Sequence, residues 1–329
     1  MSDDFTDWLP IRVSTCGEPS EWCVEWCHFG ARRFREPFFE QTLAAALREP
    51  FALVFRRTTP IAALLDWHAD KPGLAPRGFV FHMSRCGSTL VAQMLAAAPE
   101  HRVLSEPPPL DTILRSPRAP SPESVDDDRR VAWLRAWISA AGQPRAGERE
   151  LFVKLDAWHV FDLPLIRRAF PDTPWIFLHR NPIEVLVSAL RGPGLQFVPG
   201  FDMPGIDIQG MTIVEQRTRV LAAILAAALE HLPAGGLAID YARLPDAMFD
   251  EIRAWFGLEL SNATIDRMRA ATAFHAKTPS AFFEADGHTK QREASAEARE
   301  WCARLLDPLH ERLLGGPRGL EPQSRSESR

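Results

Sequence analysis

The sequence predicts an α/β fold: a parallel sheet flanked by helices, with an N-terminal α+β appendage. Three observations carry this. From Arg77 to Asp240, short apolar runs of strand length alternate with segments of helical periodicity, as in a parallel sheet covered on both faces. Two of the strand-to-helix turns, after Phe81 and after Leu178, carry Arg with either Ser and Gly or Asn-Pro, residues suited to opening helices and holding anions at strand ends. Before this region, Pro72, Gly73 and Pro76 mark a break, which sets residues 1–75 apart from a main domain over 76–316 and a tail over 317–329.

In the first segment, Trp22, Val24 and Trp26 alternate with Cys23, Glu25 and Cys27, predicting a strand or hairpin over Glu21–Ala31. Helical spacing follows over Phe39–Arg48 and Pro60–His68, with a short apolar run at Phe51–Phe55. In the main domain, Phe79–Phe81 is a strand and Gly87–Ala98 a helix. His101–Leu104 is a second strand, and Pro-rich Glu106–Pro122 is expected to be irregular. Arg129–Ala141 is a helix, Leu151–Leu155 a strand, Val160–Phe170 a helix, Trp175–Leu178 a strand. The helix Pro182–Leu190 opens with Pro in its first turn. Arg191–Met211 is a long Gly- and Pro-rich connection, a kind of segment that often serves function. Thr212–Leu232 is a long helix, Leu237–Asp240 a strand, Asp246–Phe256 a helix and Ser295–Leu314 a last helix. The polar tail from Pro317 is expected to be disordered.

Composition narrows the function. The 329 residues are 46% hydrophobic, and the net charge of −5 argues against a general nucleic-acid binder. The acidic N-terminus lacks the features of a signal peptide, and no apolar run approaches the roughly 20 residues of a membrane span. A cytoplasmic location is expected. Five cysteines imply no disulfide framework. Cys16, Cys23, Cys27 and His28 do not suit a metal site, because four residues of strand span about 13 Å.

Chemistry concentrates in two motifs. The first is Phe79-Val-Phe-His-Met-Ser84-Arg85-Cys86-Gly87-Ser88-Thr89. It places a tight loop before a helix N-terminus, where backbone N–H groups favour a phosphate. Arg85 adds a fixed positive charge, and Ser84, Ser88 and Thr89 add hydroxyls. The lysine of a Walker loop is missing. The second is Trp175-Ile-Phe-Leu-His-Arg180-Asn-Pro182, with Ser188 eight residues after Arg180. Arg180 closes a strand and Ser188 sits about two turns into the next helix, so both can face one anion across the strand ends.

On these two motifs the chain resembles the sulfotransferase superfamily. Its 5′-phosphosulfate loop has the form Pro-[Lys/Arg]-Ser-Gly-[Ser/Thr]-Thr, matched here with Ser84 for Pro and Cys86 for Ser. Its 3′-phosphate site has the Arg-[Asp/Asn]-Pro…Ser form. The resemblance implies a P-loop-kinase-like parallel sheet and 3′-phosphoadenosine 5′-phosphosulfate (PAPS) as co-substrate, without a metal. It implies that Ser84, Arg85, Cys86, Gly87, Ser88 and Thr89 bind the 5′ end, and Arg180 and Ser188 the 3′-phosphate. Phe152-Val-Lys154-Leu-Asp156 is similar to the superfamily's middle strand, and Asp240-Tyr241-Ala-Arg-Leu244 to a later strand end. Gly287-His-Thr-Lys290 stands where a late loop helps hold the 3′-phosphate. Arg85 and Lys154 would stabilise charge on the transferring group. Two carboxylates compete as the base: Glu106, at the spacing from Arg85 that the tyrosylprotein sulfotransferases use, and Asp156, where the cytosolic sulfotransferases place a histidine. Glu106 is favoured by residue type and spacing; the alternative for it is a brace of the Pro-rich segment. The acceptor would be a hydroxyl on a small molecule, a glycan or a peptide, approached under the Arg191–Met211 loop with Phe197, Phe201 and Met203. The other readings are a small-molecule kinase, against which the missing lysine counts, a non-catalytic nucleotide-binding relative, and an iron- and 2-oxoglutarate-dependent hydroxylase using His68 and Asp70, which lacks the barrel such a pair requires.

Overall fold

The structure is a computed structural model and describes residues 4–16, 21–117, 124–198, 210–276, 278–282 and 286–315. An antiparallel hairpin, β1 (Trp8–Cys16) and β2 (Glu21–His28), comes first. Helices α1 (Phe39–Ala46) and α2 (Pro50–Val54) lead to β3 (Arg56–Pro60), which pairs with β2, and to α3 (Ile61–Asp70). The main sheet begins with β4 (Pro76–His82), followed by α4 (Ser88–Ala96), β5 (His101–Ser105), α5 (Pro108–Leu114), α6 (Asp127–Ala141), β6 (Glu150–Lys154), α7 (Leu163–Ala169), β7 (Trp175–His179), α8 (Pro182–Arg191), α9 (Ile213–His231) and β8 (Gly236–Asp240). Then come α10 (Glu251–Phe256), α11 (Asn262–Ala271), a small pair β9 (Phe274–His275) and β10 (Thr278–Phe282), α12 (Gly287–Glu293), α13 (Ala296–Trp301) and α14 (Asp307–Gly315). A π-helical turn, Cys302–Leu306, joins α13 to α14.

The main sheet is parallel throughout, in the order β5-β6-β4-β7-β8. The chain moves from β4 to one side for β5 and β6, then to the other for β7 and β8. The end of β4 is therefore where the strand order reverses, and such sheets bind ligands there, beyond the carboxyl ends of the strands. Its strands are almost wholly buried: every residue of β5 and β7 is inside, as both faces carry helices.

Local chemistry explains the elements that place the site. Asp126 caps α6 through its side chain and the Arg129 N–H, 2.8 Å. Asn181 caps α8 and Pro182 sits in its first turn. The expected irregularity of Glu106–Pro122 is corrected in part. Pro108 and Pro109 form the first turn of α5, where a missing N–H costs nothing. The expected single helix over Val160–Phe170 divides into a 3-10 segment, Ala157–Asp162, and α7. Asp246–Phe256 divides in the same way. Cys16 and Cys23 form a disulfide within the hairpin, a single pair that the cysteine count did not announce. The tail from Pro317 and most of the Arg191–Met211 connection, including Phe201 and Met203, lie outside the described residues.

Residues 4–75 pack directly on the main domain. Trp22 meets Trp133 with ring centroids 5.2 Å apart. Trp137 of α6 is fully buried and donates its indole N–H to Pro10 O at 3.1 Å. Buried apolar residues from Phe5 to Leu313 form one continuous cluster.

Candidate active site

Each strand of the main sheet ends, along one edge, in a residue able to do chemistry. Across the sheet these are Glu106 after β5, Lys154 and Asp156 at β6, the loop Met83–Gly87 after β4, Arg180 after β7, and Asp240 with Tyr241 at β8. Of the sequence-predicted residues, Ser84–Gly87, Glu106, Lys154, Asp156 and Arg180 are thus gathered on one edge.

The loop after β4 is held in an unusual backbone conformation. Ser84 and Arg85 have φ of +74° and +53°, and Gly87 has φ of +84°. A side chain at Gly87 would place its Cβ 2.7 Å from the Tyr241 ring, so only glycine fits. Gly87 also caps α4 without any side-chain hydrogen bond, which leaves the first-turn N–H groups for an anion. Ser88 and Thr89 begin that helix with buried side chains. Ser84 N–H donates to His82 Nδ1 at 3.0 Å. Arg85 donates to Gly192 O at 2.8 Å, tying the loop to the start of the long connection. The Cys86 thiol points inward and donates to Leu178 O at 3.0 Å. Burial pushes that thiol up to about 11, so what Cys86 offers a ligand is its backbone.

Glu106 and Lys154 meet at the neighbouring strand ends. The backbone at Glu106 is left-handed, φ +51°, and its N–H donates to Lys154 O at 2.7 Å. Its carboxylate pairs with the Lys154 ammonium and lies 3.3 Å from His82 Nε2. Lys154 is 1% exposed and lies under the Phe38 ring, 5.3 Å from its centroid. Burial opposes ionisation of Glu106, but the charge of Lys154 and the contact with His82 outweigh it and hold the carboxyl below the usual range. Ser105, the register partner of Lys154, is buried, and among the described residues its hydroxyl has no hydrogen-bond partner.

Asp156 has the opposite character. Its own burial, reinforced by the Glu106 charge, pushes it up to about 7 against the pull of His159 and Lys154. Its backbone N–H donates to His159 Nδ1 at 3.2 Å. His159 Nε2 lies 3.0 Å from Asp111 Oδ1. Trp158 donates to the same oxygen at 2.6 Å. His159 and Asp111 were missed in the sequence; the one available signal was a histidine three residues after Asp156.

On the other side of the loop, Arg180 stacks 4.2 Å from the Tyr241 ring. It donates to Glu184 at 2.6 Å and to Asp286 at 3.1 Å. Asp286 also holds Lys290 at 2.6 Å, so the distant Lys290 does join Arg180. Ser188 lies half-buried on α8, against which α12 packs. Glu184 and Asp286 were not foreseen. Phe197, expected to face an acceptor, is 5% exposed. His68 and Asp70 sit two apart on α3, an offset that points them to different sides.

Solved structures that match the chain include sulfotransferase STF9 of Mycobacterium avium, at 15% identity over 80% of this chain and 83% of that one, TM-score 0.46. The sulfotransferase domain of the Synechococcus olefin synthase matches at 13% identity over 71% and 96%, TM-score 0.40. A sulfotransferase of Alicyclobacillus acidocaldarius matches at 16% over 72% and 96%, TM-score 0.40. No curated protein matches the chain. The model of a sulfotransferase family matches residues 76–262, the stretch that contains every strand end just described except the Asp286–Lys290 arm, and since it spans more than half of the sequence the chain belongs to that sulfotransferase family.

Proposed function

We propose that this sulfotransferase uses PAPS as its sulfuryl donor and a hydroxyl compound as acceptor. The observation that carries the reading is the order of sites along the sheet edge: a carboxylate–lysine pair, an anion loop, and a second cationic pocket. The donor's 5′-phosphosulfate fits the loop because no side chain caps the α4 N-terminus and Ser84, Arg85 and Gly87 hold a left-handed backbone in front of it. The 3′-phosphate fits the Arg180–Lys290 pocket, where it would displace Asp286 from both cations.

In the reaction, the acceptor oxygen forms a bond to sulfur while the bond from sulfur to the bridging phosphate oxygen breaks. The acceptor proton passes to a carboxylate, and adenosine 3′,5′-bisphosphate leaves. Arg85 and Lys154 stabilise the charge on the transferring group and the leaving oxygen, as preorganised cations do. Lys154 would do so by turning from Glu106. That same turn removes the charge that depresses Glu106, raising its basicity as the donor binds. Glu106 then acts as the base.

One observation favours a second assignment. Asp156 already lies near 7, where a base works best at neutral pH. Glu106→Gln and Asp156→Asn decide between them, with turnover measured alongside binding of adenosine 3′,5′-bisphosphate. Loss of turnover in Glu106→Gln with binding intact supports Glu106. Loss only in Asp156→Asn transfers the role. If neither binding nor turnover with PAPS is found in the wild type over a panel of hydroxyl acceptors, the reading falls.

A further inference from the structure

A second cluster lies at the same edge, outside the machinery just described. His179 is the last residue of β7, and Asp240, its register partner, is the last of β8. His310, on α14, packs over both. The two imidazole rings meet edge to face with centroids 5.0 Å apart. His310 Nε2 lies 3.6 Å from Asp240 Oδ2, and one nitrogen or oxygen from each of the three residues falls within 4.8 Å of the other two.

The hydrogen bonding here is incomplete. His179 is 1% exposed. Among the described residues, neither its Nδ1 nor the buried Nε2 of His310 has a hydrogen-bond partner. Asp240 spends one oxygen on the Ala242 N–H at 2.7 Å. His310 Nε2 stops just beyond hydrogen-bond reach of Asp240, and His179 Nδ1 is buried without a partner among the described residues, an arrangement that is costly to keep. A cation between them would satisfy all three groups.

We infer that His179, Asp240 and His310 form a binding site for a divalent transition-metal ion, of which zinc is the best-suited. Two imidazoles and a carboxylate suit zinc's preference for nitrogen and oxygen ligands. Bonds of about 2.1 Å at tetrahedral angles put ligand atoms about 3.4 Å apart, so small side-chain rotations close the present spacing. Burial lowers the His179 basicity to about 4, which keeps the ring neutral, as a ligand must be. The ion would clip α14 to the ends of β7 and β8. It would brace Arg180 and Tyr241, which directly follow His179 and Asp240 and stack on each other. The role is structural and adds no step to sulfuryl transfer.

The test is metal binding by the full chain, stripped of metal and titrated with zinc chloride against a chromophoric chelator. The wild type is expected to bind one zinc at this site and to melt at a higher temperature with zinc present. Asp240→Asn, which retains an acceptor for the Ala242 N–H, and His310→Ala should each weaken that zinc by more than about tenfold, the least that losing even an outer partner costs a metal site. His288→Ala, on the exposed surface of α12, should leave it unchanged. Cobalt should give a spectrum without a thiolate charge-transfer band, which separates this site from Cys27, Cys86 and Cys302. If His310→Ala does not fold, Asp240→Asn decides alone. Failure of the wild type to retain zinc, or retention undiminished in Asp240→Asn, overturns the assignment. Neither readout depends on PAPS or on turnover.

Discussion

Two carboxylates, Asp156 one strand and Glu106 two strands from the anion loop, carry opposite electrostatics, and each makes a prediction. Asp156 binds its proton more tightly in the folded chain than in the unfolded one. Between the ordinary aspartate value and about 7 the native state therefore holds more protons, and stability falls as pH rises through that window. Asp156→Asn should raise the melting temperature at pH 8 and change it little at pH 4; a uniform shift at both would refute the burial argument. Glu106 works the other way, since its paired carboxylate stabilises above the usual glutamate range and loses that contribution as pH falls. On the nucleotide side, Arg180→Ala should weaken adenosine 3′,5′-bisphosphate by about 1.5–3 kcal/mol, the scale of a charged hydrogen bond, and AMP far less. Asp286 pairs with both Arg180 and Lys290, so at the proposed donor site it would compete with a phosphate. Asp286→Asn should tighten adenosine 3′,5′-bisphosphate in calorimetry; weaker binding would mean that Asp286 orders the pocket more than it blocks it.

The decisive element is the turn from β4 into α4. Three residues there have positive φ, two of them not glycine, and such strain collects where a loop is shaped for a ligand. Gly87→Ala adds a methyl against Tyr241 and a backbone penalty of about 1–2 kcal/mol. It should abolish binding of adenosine 3′,5′-bisphosphate while leaving the β4–β7 pairing intact by circular dichroism. Arg85 bridges this turn to Gly192 at the end of α8, so Arg85→Ala should lower turnover more than tenfold on the scale of a lost charge-stabilising donor. Unchanged turnover would reduce Arg85 to a strut for the long connection.

At the scale of the molecule, residues 4–75 are more than an appendage on the surface. They cover Trp133 and Trp137 of α6, and they bring Phe38 over Lys154. Burying an aromatic side chain contributes about 1.5–3 kcal/mol, and several are involved. A chain starting at Pro76 should therefore lose cooperative melting and expose hydrophobic surface to a fluorescent dye. A stable, monomeric truncation would show that the N-terminal sheet is dispensable to folding. Phe38→Ala in the full chain separates the two roles: it should lower turnover through Lys154 with little change in melting temperature.

The alternation of apolar strands and amphipathic helices made the parallel sheet legible, because burial on both faces writes itself into each strand locally. The turns that carry Arg85, Gly87 and Arg180 were legible for a related reason: a loop and a strand end are contiguous in sequence, so their spacing survives there. Pro-rich Glu106–Pro122 misled, since Pro108 and Pro109 read as helix breakers until the helix they start is seen. What only the tertiary structure decided are the meetings between distant strand ends. Glu106 finds Lys154, Asp111 finds His159, Asp286 joins Arg180 to Lys290, and His310 comes to rest on His179 and Asp240. These pairings depend on strand order and helix docking, which no local pattern encodes, and they keep Glu106, Asp111, Asp240 and Asp286 ionised against their burial.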